Sequence, residues 1–292
     1  MKKIFALIII AIFIVILFFN DKKNYIVYIE NVGKNEILSG NGIVYKFDNN
    51  KYYIVTNYHV IALYNDIYVY NNKGKKVKAV IEKFDDYIDI AILSVQGIKL
   101  DKANLTKCNY NINDNVKILG KNINKKGIIE KDNIKLDVPN IYGNSIYNTF
   151  KINYDVDYGD SGSAVIDKSG DVIGIVSVMD LNEKKGYAMP ICDVAKAIDL
   201  LMSNQINRPD LKARFSNSNS NIAGVLVLNV FEGSILENMG VQKGDIIVKL
   251  NDSNIQNISD FRNELYKYSS GDSIKLIYYR DNSYFETIGT IK

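Results

Sequence analysis

Two short motifs contain the side chains that nucleophilic catalysis by a serine requires. Ser161 lies in the run Gly159-Asp160-Ser161-Gly162, and His59 is the only histidine in the 292-residue chain. A serine hydroxyl is a poor nucleophile at neutral pH and needs a neighbouring base. If the chain activates this serine with an imidazole, the base must be His59. The hypothesis therefore depends on one residue.

A carboxylate is needed to orient the imidazole, and Asp89 is the best candidate. It directly precedes a strand-like apolar run, whereas Asp85 and Asp86 lie slightly earlier and rank lower. In such a triad Ser161 attacks a carbonyl carbon and His59 takes its proton. Asp89 then fixes the imidazole tautomer and stabilises the imidazolium.

The glycine before the nucleophile has a separate expected role. Gly159 can adopt backbone conformations that other residues avoid, so its N–H can point in the same direction as that of Ser161. Two N–H groups aimed at one point stabilise a developing oxyanion. The sequence therefore predicts an oxyanion hole that includes Gly159 and Ser161.

The elements that position these residues are mainly β-strands. Short Ile-, Val- and Tyr-rich runs alternate with Asn, Asp, Gly and Lys from Tyr25 to about Met179, which favours barrels or a sandwich. A helix follows near 192–202, where Val194, Ala197, Ile198 and Leu201 share one face. We expect a first domain over 24–203, a polar linker over 204–221 and a second domain over 222–292.

The first 23 residues have the pattern of a membrane anchor. Lys2 and Lys3 precede an unbroken apolar run from Ile4 to Phe19, and no small-residue cleavage site follows it. The run is slightly short for a spanning helix, which flanking residues can accommodate. We expect an uncleaved single-pass transmembrane helix at 1–23 in the cell membrane, with the rest of the chain extracytoplasmic.

Composition narrows the classes of partner and cofactor. A net charge of +3 without a basic stripe argues against a nucleic-acid partner. Cys108 and Cys192 fit no zinc-binding spacing, so no metal and no cofactor is expected. Two unpaired thiols are favoured for a chain of this size, although a disulfide between them stays open in an oxidising compartment.

Several stretches resemble those of HtrA-type (Deg-type) serine proteases, which are chymotrypsin-fold enzymes followed by a PDZ domain. The stretches around the triad are Ser39–Val44, Thr56–Val60, Asp89–Leu93, Val172–Ile175 and Gly186–Pro190. Those in the second domain are Ala223–Val230, Gly240–Ile247 and Gly271–Leu276. The resemblance implies a mainly β chain with a chymotrypsin-like double β-barrel protease domain, then a PDZ domain.

The nucleophile motif departs from the family pattern. The family usually has Gly-Asn-Ser-Gly-Gly-Pro, whereas this chain has Gly-Asp-Ser-Gly-Ser-Ala. In the wider chymotrypsin-like pattern the carboxylate at the position of Asp160 orders the oxyanion loop. Asp160 is therefore counted with Gly159 and Ser161 in the predicted oxyanion hole.

The resemblance also implies where a substrate binds. The predicted substrate-binding residues are Val156, Ile175, Ser177, Val178 and Met179, which suggest an apolar pocket for a small aliphatic side chain. Asp155 lies six residues before Ser161, where trypsin-like enzymes keep the carboxylate that recognises Lys or Arg. We favour a solvated Asp155, and the basic alternative stays open.

The second domain is expected to bind peptides by strand addition. An extended peptide pairs with an exposed sheet edge, and its terminal carboxylate docks on backbone N–H groups. The predicted PDZ peptide-binding residues are Ala223, Gly224, Val225 and Val227. The alternative is a small β-domain that only packs on the first domain.

With the anchor predicted at 1–23, the resemblance implies a membrane-anchored serine endopeptidase that cleaves unfolded or damaged envelope proteins. Its implied partners are unfolded or misfolded protein substrates, C-terminal peptides at the PDZ domain, the membrane and two further copies of the chain in a homotrimer. The alternative function is a non-catalytic, membrane-tethered PDZ adaptor or holdase on a protease-like scaffold. The complete set of Ser161, His59 and Asp89 argues against that alternative.

Overall fold

A computed structural model describes residues 24–33, 36–62, 66–105, 109–140, 143–179, 183–206, 208–209 and 211–291. The predicted membrane segment at 1–23 lies outside the described residues. Within those ranges no helix is long and apolar enough to cross a membrane. The described chain is mainly β, as predicted, and its strands form three antiparallel sheets.

The first sheet contains seven strands and one short helix. They are β1 (Ile26–Val32), β2 (Ile37–Asp48), β3 (Lys51–Thr56), α1 (Tyr58–Ile61), β4 (Asp66–Tyr70), β5 (Lys76–Lys78), β6 (Val80–Asp85) and β7 (Ile90–Val95). The strand order is β5-β4-β1-β2-β3-β7-β6. Only Ala79 separates β5 from β6, and its N–H donates to the Ile67 carbonyl at 2.8 Å. The two ends of the sheet are therefore one continuous segment, which closes it into a first barrel.

Asparagine turns set the hairpin registers. Asn49 and Asn50 have φ of 47° and 60° between the paired residues Asp48 and Lys51. Positive φ at both central positions is the type I′ turn, whose twist matches that of the flanking strands. Asparagine tolerates positive φ better than most residues. These Asn-rich segments are therefore tight turns between paired strands and not disordered loops.

The second sheet is a closed six-stranded barrel. Its strands are β8 (Asn115–Leu119), β9 (Asn124–Asn140), β10 (Gly143–Asp155), β11 (Ala164–Ile166), β12 (Val172–Met179) and β13 (Lys185–Pro190). They follow the order β10-β13-β12-β11-β8-β9 around the barrel. Phe150, Ile118, Ile129 and Ile173 are fully buried in its core.

A helix, α2 (Ile191–Met202), follows the second barrel. Val194, Ala197, Ile198 and Leu201 are buried on one face of it, as the sequence predicts. Cys192 in its first turn is disulfide-bonded, so the expectation of two unpaired thiols is wrong. The expectation rested on chain size, but a large core does not prevent a cross-link. Cys108 lies outside the described residues.

The third sheet forms the C-terminal domain. Its elements are β14 (Ala213–Asn217), β15 (Val225–Val230), α3 (Ile235–Asn238), β16 (Ile246–Leu250), β17 (Ser253–Asn254), α4 (Ile258–Leu265), β18 (Ser273–Arg280) and β19 (Ser283–Thr290). The strand order is β14-β15-β16-β18-β19, and β17 pairs with β16.

Strand β14 corrects the expected linker at 204–221. Residues 213–217 pair with β15 instead of forming a flexible connection. Ala213 and Phe215 are buried, and the Phe215 ring packs against Phe261 of α4 at 5.1 Å between centroids. Ala213 and Phe215 are two positions apart, so they share the face of β14 that packs on the core. The polar run that follows them concealed this strand in the sequence.

The C-terminal domain contacts the loop between β6 and β7. The Tyr266 hydroxyl, just after α4, donates a hydrogen bond to the Asp86 carboxylate. Arg208 donates two hydrogen bonds to Asp85, at 3.0 and 3.2 Å. Burial raises the pKa of Asp86 to about 6. The same loop ends at Asp89, so this domain touches the segment that carries the candidate triad carboxylate.

Candidate active site

The structure brings Ser161, His59 and Asp89 together in the cleft between the two barrels. His59 Nε2 lies 2.9 Å from Ser161 Oγ. His59 Nδ1 lies 2.9 Å from Asp89 Oδ2 and 3.1 Å from Asp89 Oδ1. Both ring nitrogens are thus within hydrogen-bond reach of their proposed partners, in the arrangement that an activated serine needs.

Strand pairing explains why His59 and Asp89 meet. β3 and β7 are adjacent antiparallel strands, with Thr56 opposite Ala91. Residues just after the end of β3 and just before the start of β7 therefore lie at the same edge of the sheet. The Tyr58 N–H donates to the Asp89 carbonyl at 3.1 Å, and the His59 N–H donates to Asp89 Oδ1 at 3.0 Å. Backbone contacts thus fix both side chains.

Asp89 is almost fully buried, and its carboxylate is well supplied with donors. Ser177 Oγ donates to Asp89 Oδ2 at 3.0 Å, and the Tyr147 hydroxyl lies 2.8 Å from Ser177 Oγ. Burial, followed by the Asp89 charge, raises the pKa of Tyr147, so its hydroxyl stays protonated. Ser177, predicted to bind substrate, therefore also holds the candidate triad carboxylate.

The pKa of His59 is raised above its ordinary value of 6.5. Desolvation in the cleft opposes the charged imidazolium, but the Asp89 charge and hydrogen bond outweigh it. An environment that stabilises the imidazolium favours proton transfer from the serine hydroxyl. The electrostatics of the site therefore suit His59 as a general base.

The nucleophile loop is held by β2 of the first barrel. The Asn41 N–H donates to the Ser161 carbonyl at 2.7 Å, and Asn41 Nδ2 donates to the Gly159 carbonyl at 2.8 Å. Gly162 has φ of 78°, and a Cβ there would lie 1.8 Å from the Asn41 carbonyl oxygen. Asn41 lies in the family-like stretch Ser39–Val44, but the sequence predicts no role for it. The contact is between residues distant in sequence, so no local signal identifies it.

Two of the three residues predicted for the oxyanion hole have N–H groups without an acceptor. Gly159 has φ of 94°, a conformation that favours glycine. Among the described residues, the N–H groups of Gly159 and Ser161 donate to no acceptor and stay available to a ligand. The Asp160 N–H instead donates to the Asp157 carbonyl at 3.1 Å. Asp160 is therefore not an oxyanion donor, because a tight turn uses its N–H.

A cleft of about 550 Å³ opens beside Ser161 and has an apolar wall. Val156, Val176, Val178 and Met179 line it together with Ser177. Ile175 does not line the cleft. It is fully buried in the core, which corrects its predicted place in the substrate pocket.

Ile175 and Val176 are consecutive residues in regular register and so face opposite sides of β12, with Val176 on the side of the cleft. A strand irregularity follows them. The register of β12 against β13 shifts between Val176 and Val178, leaving Ser177 as an extra residue. A bulge of this kind redirects the side chains around it. Alternation along a regular strand cannot anticipate it.

Asp155 faces away from the cleft. Its side chain is 89% exposed and pairs with Lys185 at 3.2 Å. It is absent from the cleft lining, as expected for a solvated carboxylate. The geometry therefore supports the aliphatic pocket over the basic-selective alternative.

The predicted PDZ peptide-binding strand is not an edge of its sheet. Val225 of β15 pairs with Asn217 of β14 on one side and with Ile247 of β16 on the other. A peptide cannot add to a strand with two neighbours, so the assignment of Ala223, Gly224, Val225 and Val227 is wrong. The unrecognised strand β14 occupies the position that the peptide was expected to take.

Within the described ranges, no group of three or more His, Cys, Asp or Glu side chains is arranged to hold a metal ion.

Comparison with known proteins finds two families in this chain. A trypsin-like peptidase domain matches residues 40–175, and a PDZ domain matches residues 209–287. The PDZ match begins ahead of the predicted boundary at 222 and includes β14. Serine protease Do-like HtrA of Lactococcus lactis subsp. cremoris is 28% identical over 280 residues, which span 83% of this chain and 68% of that protein.

Solved structures have the same fold. The Rv3671c protease from M. tuberculosis, in its active form, is 25% identical with a TM-score of 0.53, covering 61% of this chain and 81% of that chain. The HtrA-type protease AlgW with a tripeptide has a TM-score of 0.54 at 19% identity, over 92% of this chain and 93% of that one. The second likeness is one of fold alone.

These findings define a class: the chain is a trypsin-like serine peptidase with a C-terminal PDZ domain. Within that class its sequence is similar to the HtrA-type serine proteases, and the chain is a serine endopeptidase.

Proposed function

We propose that this HtrA-type protease cleaves unfolded or damaged proteins of the cell envelope through an acyl-enzyme on Ser161. The observation that carries the proposal is the unbroken hydrogen-bond chain from Ser161 Oγ through His59 to Asp89. The free N–H groups of Gly159 and Ser161 beside it supply the oxyanion donors.

In the proposed first step, Ser161 Oγ attacks the carbonyl carbon of the scissile bond while His59 Nε2 takes the hydroxyl proton. The imidazolium donates through Nδ1 to Asp89, and the oxyanion accepts from Gly159 and Ser161. Collapse breaks the C–N bond, and His59 protonates the leaving amine. Water then attacks the ester by the same proton transfers, releasing the acid and restoring Ser161.

We propose that the residue before the scissile bond is small and aliphatic. Val156, Val176 and Val178 wall the cleft, while the Asp155 carboxylate is solvated outside it. The two carboxylates in the lining, Asp89 and Asp157, are already paired with His59 and Lys125. A cationic side chain in the cleft would therefore find little compensation for desolvation. Chromogenic peptides ending in Val should be cleaved faster than matched peptides ending in Arg. Cleavage only after Arg would refute the pocket assignment.

We propose an extracytoplasmic location with the 1–23 segment as a membrane anchor. The Lys-flanked apolar run supports the anchor, and the disulfide at Cys192 supports an oxidising compartment. Fractionation of cells that produce the full chain tests this proposal. Release into the soluble fraction without detergent would refute the anchor.

The PDZ domain is proposed to bind C-terminal peptides at the outer edge of β14. That strand lies at one end of the sheet, next to α4. HtrA-type protease AlgW was solved with a tripeptide and with a decapeptide, which supports peptide binding in proteins of this fold.

A homotrimer, implied by the family likeness, is also proposed, and light scattering of the detergent-solubilised full chain tests it.

Labelling with a fluorophosphonate probe tests the central proposal. Such probes react only with an activated serine, so wild type should label and Ser161→Ala should not. A reduced, alkylated protein should be degraded by wild type alone. Absence of labelling in folded wild type, even with unfolded substrate present, would favour the non-catalytic adaptor or holdase.

A further inference from the structure

One lysine outside the nucleophile loop contacts that loop at three points. Lys125 lies on β9, and its Nζ donates to the Asp155 carbonyl at 2.8 Å. The same nitrogen lies 2.8 Å from Asp157 Oδ2 and 3.0 Å from Asp160 Oδ2. The lysine therefore links the last turn before the nucleophile to the wall of the second barrel.

The contact with Asp160 differs from the other two because Asp160 is buried. Its side chain is 3% exposed, whereas that of Asp157 is 79% exposed. Lys125 is the salt-bridge partner of Asp160 among the described residues. A buried carboxylate that loses its cation is strongly destabilised, while an exposed pair contributes little. The Asp160 pair is thus the contact through which Lys125 can control the loop.

Three of the peptide groups around Asp160 are held by hydrogen bonds. The Gly159 carbonyl accepts from Asn41 Nδ2 at 2.8 Å, and the Asp160 N–H donates to Asp157. The Asp160 carbonyl accepts from the Ser163 N–H at 3.0 Å. The Asp160 side chain is a further attachment, because its Oδ2 accepts from Lys125 Nζ and from the Asp157 N–H at 3.1 Å. Asp160 lies between the two residues whose N–H groups are free to serve an oxyanion.

We infer that Lys125 is a positioning residue for the oxyanion hole, acting through the Asp160 carboxylate. The ion pair holds Asp160 inward, which keeps the N–H groups of Gly159 and Ser161 pointing at one site. Without the cation, the buried carboxylate turns toward water and takes the neighbouring peptide groups with it. This inference rests on the proposed acyl-enzyme mechanism at Ser161.

Lys125 stays protonated, and so positively charged, at the pH of the assays. Partial burial opposes the charged form, but the hydrogen bonds to Asp157 and Asp160 outweigh it, so the pKa of Lys125 is raised. The positioning effect should therefore be constant over the pH range in which His59 titrates. The pH profile of a Lys125 variant should keep its acidic limb while its maximum falls.

Lys125→Met keeps the length of the side chain and removes the charge. Its kcat for a Val-terminated chromogenic peptide should fall by about 10²-fold, close to the loss of one oxyanion donor, which costs roughly 10²–10³-fold. KM should change by less than about threefold, because ground-state binding uses the apolar cleft. The rate of fluorophosphonate labelling should fall in parallel, and Lys125→Arg should restore much of the activity.

Lys126→Met is the matched control. Lys126 is the next residue on β9, is exposed, and points to the other face of the strand. Its kcat should stay within about twofold of wild type, because it contacts no part of the nucleophile loop.

A second pair of variants separates positioning from general stability. If Lys125 acts through Asp160, then Lys125→Met should lower kcat by less than about threefold when it is added to Asp160→Asn, which has already removed the buried charge. Lys125→Met with Asp160→Asn should then be more active than Lys125→Met alone, and this comparison holds even if Lys125→Met folds poorly. Thermal unfolding of each variant monitors the fold.

Wild-type kcat in Lys125→Met, or additive losses in the double variant, would overturn the inference alone. A folded wild type that neither labels nor cleaves would overturn the proposed mechanism, and the inference with it.

Discussion

Replacing Asp89 with Asn should disable the protease while leaving the site almost unchanged in shape. Asp89 Oδ1 accepts the His59 N–H at 3.0 Å, and Oδ2 faces both His59 Nδ1 at 2.9 Å and Ser177 Oγ at 3.0 Å. An asparagine that keeps the first contact must place its NH₂ group at the Oδ2 position. That donor makes Nδ1 the acceptor, so the neutral imidazole carries its proton on Nε2.

In this tautomer His59 Nε2 donates to Ser161 and cannot take its proton. The same substitution in a related triad lowers kcat about 10⁴-fold, or about 5 kcal/mol in activation free energy. We expect a loss of this order for Asp89→Asn. Because Asp89 raises the pKa of His59, the residual activity should also show its acidic limb at lower pH than wild type does.

The assay is kcat/KM for a Val-terminated chromogenic peptide between about pH 5 and 9, a range that brackets the ordinary histidine pKa. Asp86→Asn is the control, because Asp86 lies in the same loop but bonds to Tyr266 rather than to His59. Its kcat should stay within about threefold of wild type. A loss below about tenfold in Asp89→Asn, or an acidic limb moved to higher pH, would refute the assignment.

Three further outcomes follow from the structure. Gly162→Ala should lower the melting temperature and abolish cleavage, because its Cβ would lie 1.8 Å from the Asn41 carbonyl oxygen at a φ of 78°; unchanged melting would contradict the close approach. Asp86, whose pKa burial raises from 3.8 to about 6, should make wild type lose stability as pH rises through that window. In urea unfolding, the free energy of unfolding of Asp86→Asn relative to wild type should be higher at pH 7 than at pH 4 by on the order of 2 kcal/mol. An equal difference at both pH values would show that Asp86 does not cause the pH dependence. Cys192→Ser should lower the free energy of unfolding by about 2–4 kcal/mol in non-reducing denaturant titrations, whereas no change would mean that the disulfide does not constrain the chain.

The triad was predictable because each member lies in a local motif at a strand end. Asp89 was separable from Asp85 and Asp86 because it directly precedes the strand β7. Antiparallel pairing then brings that strand end beside His59. Local sequence order and simple sheet geometry were sufficient there.

Contacts between distant segments were not predictable in the same way. Asn41 and Lys125 reach the nucleophile loop from other strands, and nothing in their own neighbourhood signals it. Ile175 was misplaced because it and Val176 face opposite sides of β12, and the sequence alone does not show which side faces the cleft. β14 was missed because only two apolar residues, Ala213 and Phe215, mark it amid polar ones.

Because the active site is divided between two barrels, its residues meet only in the folded chain. His59 and Asp89 belong to the first barrel, and Ser161 follows His59 by 102 positions in the second. Asn41 attaches the two halves only when the barrels have docked. A chain that has not yet folded therefore has no working nucleophile and cannot digest itself or its neighbours. Any opening of the interface between the barrels separates the same residues and stops cleavage. Proteolytic activity therefore indicates that the protease itself is correctly folded.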